Sequence, residues 1–278
     1  MNKHAKDAIR RALPRSLSPH RILAGPLRGQ TIVTSWHDYP AAILGRTERP
    51  LLEWFQKNVR TGETWLDVGA HFGYTAMFLS KMVGDSGRVF AFEPMISTAG
   101  CVAQTRRING LAQLSVMAIA LGQPEPFDTR VLPATRGMAD STIGNASWHE
   151  RISVARLDWL WPRICDSRAS IDGIKIDVQG MEIEVLRGMA GVLRQQAPKL
   201  AIELHRGVSR AEFLSILAQA GYQRKGLPIE PLTGESEPQY ADDRSYAFFP
   251  DRKTTSSFPP LSQTSIEVPA SPWDSNSR

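Results

Sequence analysis

The sequence predicts an α/β fold, a mostly parallel sheet with helices on both faces. Short apolar runs alternate along the chain with longer segments of helical period, the pattern of strands joined by crossover helices. The first clear run, TWLDV (64–68), ends in a glycine-bearing turn that opens onto a helix, DVGAHFGYT (67–75). The composition agrees, since 278 residues with 42% hydrophobic, 22% charged and two cysteines exclude collagen-like, wholly disordered and disulfide-framework classes. A chain of this size buries roughly 70–75% of its unfolded surface and stands without staples.

Strands are predicted at TWLDV (64–68), RVFAFE (88–93), LSVMAIAL (114–121), IDGIKIDV (171–178), KLAIEL (199–204) and SYAFF (245–249). Most are apolar on both faces, as strands covered from both sides are. Helices fit between them at YTAMFLSKMV (74–83), STAGCVAQTRRIN (97–109), GMEIEVLRGMAGVLRQQ (180–196) and SRAEFLSILAQAG (209–221). In the third, Ile183, Leu186, Met189, Ala190 and Leu193 recur at helical spacing and make one apolar stripe. Ahead of Thr64 the chain reads as a small strand or two and then a helix from 48 to 59. The segment 122–150 is polar, rich in Pro and Gly, and longer than an ordinary connection; it is expected to be a structureless active-site flap.

Charge is distributed unevenly. Residues 1–28 carry seven Lys or Arg against Asp7, a balance of +6, and the remaining 250 residues carry 26 basic against 27 acidic side chains. The expected organisation is therefore a basic, flexible leader over 1–28, one domain over 29–250 with its cofactor core at 62–250, and a disordered Ser/Pro-rich tail over 251–278. The leader has no apolar segment of signal-peptide length, and no run reaches the ~18 apolar residues of a membrane span. A cytoplasmic protein is expected, with at most weak contact between its leader and an anionic surface. Cys101 and Cys165 lie far apart without a CxxC or a histidine cluster, which suits buried, reduced thiols.

The chemistry begins at the first turn. Gly69 and Ala70 are small enough for a ligand to pass against the backbone, Gly73 permits close packing of the following helix, and Asp67 places a carboxylate at the strand tip. Twenty residues beyond Gly73 stands Glu93, at the end of the next strand. An acid there is placed to accept hydrogen bonds from both hydroxyls of a ribose. NAD and S-adenosylmethionine both satisfy that geometry, and the DxGxxxG form of the turn favours the second.

The segments DVGAHFGYTAMFLSKMVGDSGRVFAFEP (67–94), RRINGL (106–111), IDGIKIDVQGMEIEVLRGM (171–189) and KLAIELH (199–205) together resemble the FkbM family of S-adenosylmethionine-dependent methyltransferases. The resemblance spans residues 45–250, including GRTE from Gly45 to Glu48. It implies the class I methyltransferase fold, a Rossmann-like seven-stranded sheet with an antiparallel last strand, and O-methylation of hydroxyls on sugars or natural-product-like small molecules. It also implies that Asp67, Gly69 and Gly73 line the methionine and ribose portions of the cofactor, that Glu93 holds the ribose, and that the backbone from Ala118 to Ala120 approaches the adenine. Ala70 and His71 belong to the same turn, His71 replacing the usual Asn and shaping the pocket.

The family's second motif, K-I-D-V-E-G-x-E, is here Lys175 to Glu182, with Gln179 in place of the glutamate. That exchange removes a negative charge and argues against a metal-binding carboxylate cluster; no metal is expected. Asp177, at the strand tip beside the reactive methyl, is the first candidate for a direct catalytic role. His205, after KLAIEL, is the alternative base, Glu182 is a further candidate that also suits a first-turn helix acid, and His149 is a weaker one. Trp148 is placed to stack on a ring, whereas Trp159 and Trp161 beside Leu157 and Leu160 read as core. Two other readings stand beside an O-methyltransferase. A non-catalytic cofactor-binding or interaction module has Gln179 as its only hint, and a nucleic-acid methyltransferase is disfavoured by the neutral body and the absence of an NPPY-type motif. The expected partner is a small-molecule or carbohydrate hydroxyl, with no nucleic acid.

Overall fold

In the computed structural model, which describes residues 12–135, 137–139, 148–165 and 170–251, the chain opens with a hairpin. Its strands β1 (Ser18–Arg21) and β2 (Thr31–Thr34) pair antiparallel, Ser18 opposite Thr34. Two helices follow, α1 (Pro40–Leu44) and α2 (Arg49–Asn58), each with a proline in its first two positions, where the missing N–H has no intrahelical partner to lose. Then come β3 (Thr64–Val68), α3 (Tyr74–Val83), β4 (Arg88–Phe92), α4 (Ile96–Ile108) and β5 (Leu114–Met117). After β6 (Ala120–Leu121), β7 (Phe127–Thr135), β8 (Met138–Ala139) and β9 (His149–Ala155), the alternation resumes with α5 (Leu157–Ile164), β10 (Gly173–Ile176), α6 (Glu182–Gly188), α7 (Ala190–Gln196), β11 (Lys199–Leu204) and α8 (Arg210–Gln219). β12 (Leu227–Pro228) and β13 (Arg244–Phe248) complete the described chain.

Seven strands form the main sheet in the order β12-β13-β11-β10-β3-β4-β5. β11, β10, β3, β4 and β5 run parallel, and β13 lies antiparallel between β11 and β12. This is the expected seven-stranded sheet with an antiparallel last strand. From β3 the chain goes outward to β4 and β5 and then crosses back to β10, so the strand order reverses between β3 and β10. In open α/β sheets a ligand crevice forms at such a point, outside the carboxyl ends of the strands. One core layer joins Leu66, Val68, Phe90, Ile174 and Ile176 to the helices of the second half, and the other joins Trp65, Val89 and Ala91 to α2, α3 and the N-terminal hairpin. Cys101 and Cys165 are both buried, and neither forms a disulfide. Trp161 is buried edge-on to Phe90 at 5.1 Å, while Trp148 is 63% exposed.

Four expectations are corrected. The run LSVMAIAL is not one strand. β5 ends at Met117, Ile119 N–H turns back to the Met117 carbonyl at 2.9 Å, and β6 joins a second sheet in the order β6-β9-β7-β8. β5 is the edge of its sheet, so nothing beyond it holds the chain in line. The helix 180–196 is two helices. Gln179 and Gly180 are left-handed, with φ of 53° and 95°, so the helix starts at Glu182, and it breaks at Met189, with φ −121° and ψ 17°. A Cβ on Gly188 would lie 1.7 Å from the Gly122 carbonyl oxygen, so the break falls where two backbones press together.

The segment 122–150 is largely strand where it is described. β7 and β9 pair from Phe127 opposite Ala155 to Pro133 opposite His149; residue 136 and residues 140–147 lie outside the described residues. Its polar composition concealed a ladder because four of the nine β7 residues are exposed and only one is buried. The leader boundary at 28 is also too late. Residues 1–11 lie outside the described part, as does the tail 252–278, but β1 belongs to the body, and Ile22 and Leu27 are each 1% exposed. Arg21 and Arg28 remain on the outside, which is why counting charge alone read this stretch as solvated. Truncation of a buried leucine leaves a cavity, so Leu27→Ala is expected to lower the unfolding free energy by about 2–5 kcal/mol in urea titration. A loss under about 0.5 kcal/mol, the range of neutral surface changes, would return Leu27 to the leader.

Candidate active site

The crevice is built on the turn after β3. Gly69, His71 and Gly73 have φ of 80°, 49° and 82°. Gly69 is obligatory: a Cβ there would stand 1.8 Å from the Asp177 carbonyl oxygen, where the tips of β3 and β10 pass. A Cβ on Gly73 would meet the Val102 side chain of α4 at 2.9 Å, so this glycine serves packing between helices. The N–H groups of Gly69 and Ala70 both donate to the Phe92 carbonyl at 3.0 Å, tying the turn to the end of β4.

Glu93 follows that end and is 3% exposed. One carboxylate oxygen accepts from the His71 N–H at 2.9 Å and the other from the Met95 N–H at 3.0 Å. Burial pushes its pKa up to about 8 against the pull of these two donors. Each oxygen keeps a lone pair beyond the one it uses.

Lys175 and Asp67 are neighbours across the β3–β10 ladder. The Lys175 ammonium, 5% exposed, donates to the Gly69 carbonyl at 2.8 Å and lies 3.2 Å from Asp67 Oδ1 and 3.4 Å from Asp177 Oδ2. Burial disfavours its charge, but Asp67, Asp177 and Glu48 outweigh burial and hold its pKa above the usual range. Asp67 is fully buried and its Oδ2 accepts from the Thr75 hydroxyl at 2.5 Å. Burial likewise opposes the Asp177 charge, and Lys175 with His205 overcomes it, so that pKa is lowered.

Behind Asp177 lies a buried pair. His205 Nδ1 is 2.7 Å from Glu182 Oε1, with His205 4% and Glu182 0% exposed. Nε2 lies 3.5 Å from Asp177 Oδ1 and 3.7 Å from Glu203 Oε1. Burial lowers the His205 pKa, whereas the Glu182 hydrogen bond and the charges of Asp177, Glu182 and Glu203 lift it to about 9. The Gln179 amide nitrogen lies 2.9 Å from Nε2 and donates to Asp177 Oδ1 at 3.2 Å. A donor in that position suits a neutral ring, and reversing the amide suits a charged one. With three carboxylates inside 4 Å, the imidazolium prevails at neutral pH.

Glu203 carries the opposite balance. Burial first, then Asp177 and Glu48, push its pKa up to about 7. Asp177, Glu203 and His205 bring ligand-type atoms within 4.8 Å of one another. The expectation of no such constellation rested on Gln179, and Glu203 supplies the carboxylate that position 179 lacks.

The cavity over the strand tips is lined by Gly69, Ala70, His71, Glu93, Ala120, Asp177 and Gln179, and also by Glu48, Tyr39, Tyr74, Lys175 and Glu203. Leu132, Met138, Ala139 and Ile152 of the second sheet roof it. Of the residues singled out from the sequence, Asp67, Gly73, Ala118, Glu182 and His205 are not among the residues lining the cavity. His149 begins β9 and is exposed. Sequence reasoning missed Glu203 and Glu48 as site residues. Glu203 had a signal, since it is two residues before His205 and shares its strand face; Glu48, at the left-handed start of α2, had none in periodicity.

The profile described as the methyltransferase FkbM domain matches residues 67–224, more than half of the chain. The chain belongs to the FkbM methyltransferase family. Its cofactor is S-adenosylmethionine, and its sheet is the Rossmann-like sheet of class I methyltransferases. No curated protein matches it. Among solved structures it is similar to the FkbM methyltransferase of Methylobacillus flagellatus, with 19% identity over 76% of this chain and 52% of that one and a TM-score of 0.47. It is also similar to Aeropyrum pernix fibrillarin in complex with S-adenosyl-L-methionine (14% identity, 84% of this chain and 82% of that one, TM-score 0.46). A third is an S-adenosylmethionine-dependent O-methyltransferase of Thermotoga maritima (14% identity, 74% and 66%, TM-score 0.44).

Lys175 neutralises two carboxylates in this FkbM family site, one of them fully buried. Removing one member of a buried ion cluster leaves the others uncompensated, so Lys175→Met is expected to cost about 3–5 kcal/mol of stability in denaturant unfolding.

Proposed function

We propose that this protein transfers the methyl group of S-adenosylmethionine to a hydroxyl oxygen of a sugar or natural-product-like small molecule, with Glu203 as general base. The observation that carries this reading is a cavity-lining carboxylate with its pKa near 7, beside an ionised Asp177. A base works best when its pKa lies near the working pH. His205, held as a cation and outside the cavity lining, cannot take that proton; it keeps Asp177 charged instead.

The cradle suits the cofactor. Glu93 has lone pairs left for the two ribose hydroxyls, Gly69 and Ala70 offer bare backbone at the turn, His71 borders the same turn, and Ala120 with the apolar roof suits the adenine. Asp67 and Gly73 act from behind, Asp67 by anchoring Lys175 and Thr75, and Gly73 by letting α3 approach α4. When bound, the sulfonium supplies an electrophilic methyl carbon. Glu203 would accept the hydroxyl proton of the acceptor as the acceptor oxygen takes the methyl that the sulfonium would supply. Asp177 holds the acceptor in line, which is the larger part of catalysis in a displacement that needs little else. A cytoplasmic setting is part of this proposal, supported by the burial of Cys101 and Cys165 as thiols; among the described residues no helix is long and apolar enough to cross a membrane.

The direct test is mass spectrometry of cell extract incubated with the protein and isotope-labelled S-adenosylmethionine. Label on a small-molecule oxygen supports the reading, and label confined to nitrogen or to nucleic acid overturns it. With a product identified, Glu203→Gln is expected to lower kcat by about 10²–10⁴-fold, the usual worth of a general base, with cofactor affinity unchanged. The wild-type rate should rise with pH through about 7, and the variant should lose that limb. Cofactor affinity carries its own pH signature. Free Glu93 is protonated below about 8, whereas ribose donors need the carboxylate, so binding releases a proton. Affinity should strengthen up to about tenfold per pH unit below that value and level off above it, while Glu93→Gln should bind weakly and without that slope.

A further inference from the structure

The cavity does not end at Glu203. Glu48 and Glu203 also line a second depression, bounded by Leu51, Ile229, Arg244 and Ser245, so these two carboxylates stand at the neck between the methyl-transfer centre and the surface beside β13. From the geometry we propose that this neck is the acceptor subsite, and that it takes a neutral pair of neighbouring hydroxyls, with Glu48 and Glu203 as the two acceptors of their hydrogen bonds. The proposal rests on the hydroxyl-methylation reading above and narrows its substrate class.

Three observations support it. Glu48 is held at φ 56°, a conformation that costs a non-glycine residue energy and concentrates at ligand sites. Burial and the charge of Asp177 push its pKa up, and the Thr47 hydroxyl donates to its Oε1 over a long 3.4 Å. Two carboxylates in this position are relieved by donors that a ligand brings.

The second observation is a buried hydroxyl. Tyr74 lines the same cavity, is 1% exposed, and its hydroxyl has no hydrogen-bond partner among the described residues. A buried hydroxyl without a partner is costly, and its pKa is raised by burial and then by Glu48, which places it in the field of that carboxylate. It is a donor and an acceptor for a further oxygen of the same ligand.

The third is the disposition of positive charge. Lys175 is committed to Asp67 and Asp177, and Arg244 to Glu235 at 2.8 and 3.0 Å and to the Glu230 carbonyl at 2.7 Å. His71 stands at the cofactor turn. A phosphorylated or carboxylated acceptor would bring its anion to a neck lined by acids, where among the described residues Lys175 and Arg244 are already engaged and the His205 cation is held by Glu182 at 2.7 Å.

The test is saturation-transfer NMR on the full-length protein loaded with S-adenosylhomocysteine. The probes are neutral methyl glycosides with a free vicinal diol, each compared with its deoxy, phosphorylated and amino counterparts. At least one neutral diol should bind. Its phosphorylated counterpart should bind at least tenfold more weakly, Glu48→Gln should weaken the diol at least tenfold, and Tyr74→Phe should weaken it severalfold, while S-adenosylhomocysteine affinity stays within twofold as the check on folding. No binding by any diol, preference for the phosphorylated or amino form, or an unchanged diol affinity in Glu48→Gln would overturn the subsite. A glycoside that binds through Glu48 and is never methylated on oxygen leaves the subsite standing and defeats the methylation reading. Oxygen methylation indifferent to Glu48→Gln does the reverse.

Discussion

The Lys175 ammonium, wedged between Asp67, Asp177 and the Gly69 carbonyl, is the interaction on which the rest of the site depends. It sits where the strand order reverses, on neighbouring tips whose backbones approach so closely that Gly69 admits no side chain. Two carboxylates and a lysine taken out of water are costly unless their geometry is good and the remaining lone pairs are used. Here the Thr75 hydroxyl donates to Asp67 Oδ2 and the Gly69 carbonyl accepts from Lys175. The cluster holds the tips of β3 and β10 together and fixes Asp177 as an anion facing the cavity.

From that anchor the site sorts its ionisable groups by environment. Asp177, next to a cation, stays charged; Glu203, next to Asp177 and Glu48, is lifted to about 7; Glu93, isolated by burial, is lifted to about 8. His205, surrounded by three acids, is lifted to about 9. Four groups that would titrate at ordinary values in water thus acquire distinct states, and each follows from burial or from a named neighbour. Gln179 contributes by what it lacks, since a glutamate there would press a further anion against Asp177 and tie His205 more firmly to its proton.

The second sheet and the N-terminal hairpin show how peripheral elements serve this centre. The β7–β9 ladder brings Leu132 and Ile152 over the crevice, and β8 adds Met138 and Ala139, an apolar cover over the strand tips. On the other side the hairpin buries Ile22 and Leu27, and the segment between hairpin and α2 delivers Tyr39 and Glu48 to the cavity wall. The basic excess of the first 28 residues therefore describes the outside of an element whose inside is core.

The parallel sheet, the glycine turn, Glu93 and the Asp177 strand tip were legible in the sequence because each is a local statement. Apolar runs, a positive-φ turn and an acid at a strand end depend on residues close together along the chain. What sequence could not reveal was long-range: that Glu48, 155 positions before Glu203, shares a wall with it, that His205 sits behind that wall, and that a polar segment after β5 pairs into a roof. Period and composition report which face of an element is apolar, and carry no information on which faces meet. Charge state belongs to the same class. The acids and the histidine are written in the chain, but their burial and neighbours decide which holds a proton and which can accept one, and those exist only in the folded protein.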